Sequence, residues 1–218
     1  MPQYTVTFVR HGETKSNAED AFVGVTDDPL NEKGEKQAHI SGDYLKKEAE
    51  VEHIRYDLMF SSPLSRCKQT AEIINKYLNL ELLVHEDLRE RNYGIFDGRK
   101  KVNLRDEYPD LFQEYKENKP FLELPEGESA IDLEKRIKHF FWSYLPKNYP
   151  DSKSILVVSH LNPIRGFLRL TGLKDWDIYY QKFHNTSVTR VWTDLDEAKL
   201  LMFNYSCFED PYCETEEK

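Results

Sequence analysis

The chain of 218 residues is poor in cysteine: Cys67, Cys207 and Cys213 are its three, and no two form a C-x-x-C pair. A disulfide framework or zinc ribbon is thereby excluded, and reduced thiols in a cytoplasmic protein are the expectation. No apolar run reaches membrane-spanning length. The opening residues, MPQYTVTFV, carry neither the basic cluster nor the apolar stretch of a secretory signal. Positive charge is short overall, with 30 Lys and Arg against 39 Asp and Glu, for a net charge of −9. Nucleic acids and anionic membranes are excluded as partners on that balance. An anionic ligand would need cations gathered locally. Internal repeats, Gly/Ser/Pro-rich linkers and low-complexity tracts are missing too, apart from the acidic end Glu214 to Lys218. The expectation is one domain over residues 1–205 and an acidic, frayed tail over 206–218.

What is present is a globular composition, 39% hydrophobic and 32% charged, with short apolar segments that alternate in period. Tyr4 to Val9, Tyr56 to Phe60, Leu80 to Val84 and Ile155 to Val158 read as strands, the last apolar throughout like a buried central parallel strand. Ser187 to Trp192 and Lys199 to Phe203 read as a closing hairpin around Asp194 to Ala198. Helical spacing places Ala38, Ser41, Tyr44 and Leu45 on one face of Glu32 to Lys47. Ser61-Ser62-Pro63 predicts a hydroxyl-capped helix start with proline in the first turn, followed by Leu64, Cys67, Ala71, Ile74 and Leu78 at helical spacing. Further helices are expected from Ala130 to Tyr144 and from Pro163 to Leu170, with residues 94–127 irregular or weakly helical and Pro109, Pro120 and Pro125 as breakers. Strands alternating with helices predict an α/β fold of three layers, with a mainly parallel sheet covered by helices on both faces.

In such a sheet the carboxyl ends of the strands face the ligand. Val9 to Asn17 reads V-R-H-G-E-T-K-S-N and puts Arg10 and His11 at the end of the first strand. Gly12 is expected to allow a sharp turn and the close approach of an anion. Arg66 follows the second strand, Glu90 the third and His160 the fourth. These types suit a dianionic phosphate: arginines neutralise its oxygens while an imidazole attacks phosphorus in line. Neighbouring cations would hold His11 neutral. Which ring nitrogen attacks is open.

Plainer readings stand beside this one. Arg66 also reads as a solvated helix residue, and His160 as a core histidine. Glu90 sits in a charge cluster with Glu86, Asp87, Arg89 and Arg91, and Glu13 or Glu86 competes for the same role. His39, His53, His85 and His139 read as surface or packing residues, whereas His184, in H-N-T-S, is left open. Cys67 reads as core, beside an arginine that would favour its oxidation. A metal held by His11, Glu90 and His160 is the chemical rival, opposed by two arginines aimed at the same point.

Five blocks in order carry a family resemblance: V-R-H-G-E-T-K-S-N, then S-S-P-L-S-R-C-K-Q-T-A from Ser61, L-R-E-R-N-Y-G-I-F-D-G from Leu88, P-E-G-E-S from Pro125, and V-V-S-H-L-N-P-I-R from Val157. Together they resemble the histidine phosphatase superfamily, in the branch of phosphoglycerate mutases and broad-specificity phosphatases. The resemblance implies that His11 takes the phosphoryl group and that Arg10, Asn17, Arg66 and His160 bind it. It implies that Glu90 is the general acid, and that Val23, Gly24, Tyr93 and Asn162 contact substrate. Leu161 stands where the acid phosphatases place their acid, which disfavours that branch, and where the mutase-like branch often has glycine.

The segment from Arg99 to Glu128 is short and lacks the arginine pair with which mutases grip a second phosphate. The expectation is therefore a hydrolase of small phosphorylated metabolites, without cofactor or metal. The alternative is a mutase dependent on 2,3-bisphosphoglycerate, toward which E-R-N-Y-G at Glu90 points. A second alternative is a phospho-ligand binding protein without catalysis. A homodimer is common in the resembling family.

Overall fold

Short β-branched and aromatic runs build one sheet of six strands in the order β3-β2-β4-β1-β5-β6. The structure is a computed structural model that describes residues 3–118, 122–173 and 182–209. The strands are β1 (Tyr4–Arg10), β2 (Leu58–Ser61), β3 (Leu82–Val84), β4 (Ser154–Ser159), β5 (Val188–Thr193) and β6 (Ala198–Tyr205). The first four run parallel, and β5 and β6 close the sheet antiparallel, as the expected hairpin. The register sets Arg10 opposite Ser159, and Ser61 opposite both Val158 and Val84. Four strand ends therefore stand level on one edge.

Alternation along the strands feeds two cores. Val6, Phe8, Phe60, Ile155 and Val157 pack on one face with α6 (Ala130–His139) and α8 (Leu161–Leu170). Val9, Met59, Leu156 and Val158 pack on the other with α2 (Glu32–Val51) and α3 (Ser65–Leu78). β4 is buried on both faces, which is why Ile155 to Val158 is apolar throughout. The remaining helices are α1 (Lys15–Ala18), α4 (Lys101–Glu107), α5 (Pro109–Asn118) and α7 (Leu145–Asn148), which α6 reaches through a π-helical turn at Phe140–Tyr144.

Three local expectations change. The helix after β2 begins at Ser65, not Pro63, and no side chain of the Leu64 cap position bonds to it. The Ser62 hydroxyl accepts chiefly from His160 at 2.8 Å and only at 3.4 Å from the Leu64 amide. Asp27, distant in sequence, instead accepts from the Ser65 amide and hydroxyl at 2.7 Å each. Second, α8 begins at Leu161, with His160 at its cap position, so Pro163 lies inside the first turn. Third, Pro109 opens α5 where it was expected to break the chain, so the weakly helical option for 94–127 resolves into two helices, α4 and α5.

Of the expected tail, Ser206 and Cys207 are buried. Residues 210–218, with Cys213 and the acidic end, lie outside the described residues, as do Lys119 and Pro120. No helix among the described residues is long and apolar enough to cross a membrane.

Candidate active site

A cavity of about 620 Å³ opens over the carboxyl edge of the parallel strands. Arg10, His11, Asn17, Val23, Glu90, Tyr93 and Asn162 all line it. Sequence reasoning thus placed seven residues from four separate segments around one space.

His11 forms the floor and is 3% exposed. Its Nδ1 lies 2.8 Å from the Gly12 carbonyl, an acceptor only, so Nδ1 carries the proton and Nε2 keeps its lone pair. Burial first, then the charges of Arg66 and Arg10, hold this imidazole well below the ordinary histidine range. It is a neutral base with the right tautomer for attack through Nε2. Gly12 itself serves packing: a Cβ there would sit 2.6 Å from the Gly34 carbonyl of α2. The expected approach of an anion is not what this glycine permits; helix contact takes that space.

Arg10 donates from Nη1 to the Phe183 carbonyl at 2.6 Å, and its buried Nε has no partner among the described residues. Burial pulls its pKa down to about 10, so it stays charged at neutral pH. Arg66 and His160 do not line the cavity but lie behind it, both fully buried. Arg66 Nε donates to His160 Nδ1 at 3.2 Å, which leaves His160 to donate from Nε2 to Ser62 Oγ at 2.8 Å. The rest of the Arg66 fork binds the carbonyls of Thr26 at 3.0 Å and Gly24 at 2.7 Å. The rings of His11 and His160 are 5.2 Å apart. Burial and Arg66 also depress His160.

Gly24, expected at the substrate, is placed instead under Arg66. A Cβ at Gly24 would meet Asp97 Oδ2 at 2.2 Å and the Arg91 carbonyl at 2.5 Å, so packing requires the glycine. Asp97 collects the amides of Gly24, Val25 and Thr26 at 3.3, 2.7 and 3.0 Å and so shapes the loop that presents those carbonyls.

Glu90 is 5% exposed, and burial raises its carboxyl pKa. Its Oε1 accepts from the Arg91 amide at 2.7 Å and from Asn162 Nδ2 at 3.0 Å. The same Asn162 amide donates to the Tyr93 hydroxyl at 2.7 Å. The competing acids are spoken for. Glu13 binds Lys33 at 2.8 Å and Asn31 at 3.1 Å, and Glu86 is an exposed partner of Arg89. Asn17 lines the cavity but its Oδ1 accepts from Thr14 N at 3.3 Å and Asn185 Nδ2 at 3.4 Å.

Sequence reasoning missed Asn185, Arg165, Lys182 and Tyr115, which also line the cavity. Asn185 donates to the His11 carbonyl at 3.0 Å. The H-N-T-S stretch was noticed for its histidine, yet His184 turns toward Glu209, 3.9 Å away. Arg165 follows Leu161 by one helical turn and was a signal available in the fifth block. His85 packs on the rings of Phe140 and Tyr144. Cys67 is buried 3.3 Å from His160 Nε2, and burial pushes its thiol above the ordinary range. Among the described residues, no group of three or more His, Cys, Asp or Glu side chains could hold a metal ion.

A mainly parallel sheet whose carboxyl edge carries a neutral imidazole, buried arginines and a polar cavity defines the class: an α/β protein with a pocket at its strand ends. The particular lineage follows from comparison. Residues 6–206 match the family model of the histidine phosphatase superfamily, branch 1. The chain is 35% identical to "Uncharacterized phosphatase PhoE" of Bacillus subtilis (strain 168), over 85% of this chain and 86% of that protein. It is 29% identical to a 2,3-bisphosphoglycerate-dependent phosphoglycerate mutase of Bartonella bacilliformis, over 82% and 86% of the two chains. A solved mycobacterial glucosyl-3-phosphoglycerate phosphatase superposes with a TM-score of 0.79 at 23% identity, covering 94% of this chain and 100% of the other. That last likeness speaks to the fold. The chain belongs to the histidine phosphatase superfamily.

Proposed function

We propose that the protein is a phosphomonoester hydrolase that works through a covalent phosphohistidine at His11. The observation that carries this reading is the pairing of two buried groups tuned in opposite directions. His11 is held neutral with Nε2 available, and Glu90, on the same cavity, is pushed toward the protonated acid. A nucleophile and a proton donor on one cavity are what phosphoryl transfer from an alkyl ester requires.

In the first step Nε2 of His11 attacks phosphorus. The P–N bond forms, the ester P–O bond breaks, and the leaving oxygen takes the Glu90 proton. In the second step Glu90, now a carboxylate, takes a proton from water as that water attacks phosphorus. The P–N bond breaks, and inorganic phosphate and neutral His11 are regenerated. Arg10 offers its unpartnered Nε to the phosphoryl oxygens. Arg66 and His160 back the floor, and Arg66 would exchange a backbone carbonyl for phosphate to touch it directly. Most of the catalysis is positioning and charge. The charge comes from side chains, and the proposal includes no metal or cofactor.

Hydrolysis is preferred to mutase transfer because two cations of the cavity wall, Arg91 and Lys101, are already engaged. Arg91 Nε donates to the Glu128 carbonyl at 2.6 Å, and Lys101 pairs with Asp20. A bisphosphate would find fewer groups to retain it while it reorients. Small phosphorylated metabolites are the proposed substrates. The test is to quench turnover of ³²P-labelled phosphoester in denaturant. Label on His11 that is lost in acid and survives alkali supports the proposal. A phosphoglycerate isomerisation rate orders of magnitude above phosphate release would install the mutase reading.

A further inference from the structure

The side chain of Glu90 is held by Asn162 and the Arg91 amide. What holds its backbone is a different question. Beyond Val84 the chain has left the sheet, and among the described residues the carbonyls of 85–92 have no β-ladder partner, although that of Leu88 accepts from Ser159 Oγ at the end of β4 at 2.8 Å. One guanidinium, from α6, takes three of them. Arg136 Nη1 donates to the carbonyls of Asp87 and Arg89 at 2.6 Å each, and Nη2 to that of Glu90 at 3.0 Å.

The fork is itself locked. Glu128 accepts from Arg136 Nε at 2.7 Å and from Nη2 at 2.9 Å, a bidentate pair. Glu128 then grips the far end of the same loop. Its amide donates to the Asn92 carbonyl at 2.9 Å, its Oε2 accepts from the Asn92 amide at 3.3 Å, and its carbonyl accepts from Arg91 Nε at 2.6 Å. Residues 87–92 are thus bracketed on both sides of Glu90. The bracket is tied to the body: Ser129 caps α6 through the Asp132 amide at 3.1 Å. α6 in turn meets α8 so closely that a Cβ on Gly166 would stand 2.9 Å from Leu133 Cδ2. α8 carries Asn162, so both helices that hold Glu90 form one packed unit. Arg136 does not line the cavity, and its fork is fully spent on three carbonyls and Glu128.

We propose that the Arg136–Glu128 pair is a positioning device that aims Glu90 at the leaving oxygen, and that Arg136 serves turnover through Glu90 alone. The proposal rests on Glu90 being the general acid. Proton donation is sensitive to placement: a misplacement of about 1 Å can cost roughly 10²-fold. A nitrophenolate leaves without a proton, so its departure is indifferent to where Glu90 points. An aliphatic alkoxide is not.

The experiment compares wild type with Arg136→Ala, Arg136→Lys, Glu90→Gln and the Arg136→Ala/Glu90→Gln double variant. Two rates are read in each: the nitrophenol burst from 4-nitrophenyl phosphate and single-turnover cleavage of glycerol phosphate. Thermal melts report folding. Arg136→Ala should lose about 10²-fold on glycerol phosphate and keep its burst within about threefold. Arg136→Lys should fall between, because a point charge cannot grip three carbonyls and a carboxylate as a planar fork does. In the Glu90→Gln background, Arg136→Ala should cost less than about threefold more, since both act on one step. Equal losses of burst and alkyl cleavage in Arg136→Ala, additive losses in the double variant, or a wild-type Arg136→Lys would each overturn the positioning role. Should Arg136→Ala not fold, Arg136→Lys and Glu128→Gln decide by the same two rates. If Glu90→Gln itself shows no alkyl–aryl split, the acid assignment fails instead, and the two failures are told apart.

Discussion

The floor of the cavity and the roof over it are built by opposite means. The floor is a buried polar network at the ends of parallel strands. His11, Arg66, Ser62 and His160 are each 3% exposed or less, and the hydrogen bonds among them run to fixed backbone groups or to one another. The roof is α4 and α5, of seven and ten residues, laid over a small aromatic cluster of Phe22, Tyr93, Phe96 and Tyr115. Helices that short are marginal alone, and an edge-to-face pair, Phe22 with Tyr115 of α5, ties the roof to the cluster. A hydrogen-bonded network tolerates almost no substitution, because each lost partner strands a buried polar group. An apolar cluster tolerates changes of shape at modest cost. On the proposed function, the reaction belongs to the floor and the choice of substrate to the roof.

The contrast breaks most sharply at His11. His11→Ala should abolish phosphoryl transfer, by about 10⁴-fold or more, the scale at which loss of a nucleophile registers. Phosphate release from any good substrate checks this, and a variant with residual turnover near wild type would move the nucleophile elsewhere. Glu90→Gln should cost about 10²–10⁴-fold on alkyl esters while the aryl burst persists.

Acidity separates the two regions next. His11 and His160 are kept neutral in the fold, so the unfolded chain binds more protons than the folded one below the ordinary histidine pKa of 6.5. Stability should therefore be lost as pH falls through that region. Glu90 is raised, so it acts with the opposite sign: the fold loses stability as pH rises from the ordinary carboxylate value of 4.5 through the raised one. Melting temperatures across pH should show the histidine slope flattened in His160→Gln, whereas a roof variant should leave it intact. The same two shifts set turnover on alkyl esters. It should fall only below the ordinary histidine range, as His11 takes a proton, and on the basic side as Glu90 loses its own.

A substitution in the roof should do less, and differently. Phe112→Ala on α5 removes part of the cavity wall and should raise KM by about tenfold for a bulky phosphoester. It should leave the nitrophenol burst unchanged; a fall in the burst would deny the roof its separate role. The smallest effect is expected from a chelator. Because the proposed charge comes from arginines, activity should survive it unchanged, and a complete loss that zinc restores would revive the metal reading.

The floor was far more legible in the chain than the roof. Strand periodicity is local, and a motif at a strand's carboxyl end inherits its address from the sheet. That is why Arg10, His11 and Glu90 were found before any contact was known, whereas Asn162 came from the family resemblance. The roof's helices were obscured by Pro109, read as a breaker where it opens α5. Short helices held by tertiary rings carry a weak periodic signal.

Residue types and their spacing were enough for the α/β architecture, and the five motif blocks carried the family and seven of the residues that line the cavity. Other questions turned on partners far away along the chain. Gly12 and Gly24 are glycines because Gly34 and Asp97 crowd them, not because a ligand does. Glu90 was separated from Glu13 and Glu86 only by burial, which no sequence window reports. Asp27 caps α3 from 38 residues away, and Arg136 reaches Glu90 from 46. Hydrogen bonds of this kind form between groups that meet only after the sheet and both helical layers have assembled. Their energetics belong to the folded enclosure, where an unmatched donor is costly and a matched one is fixed.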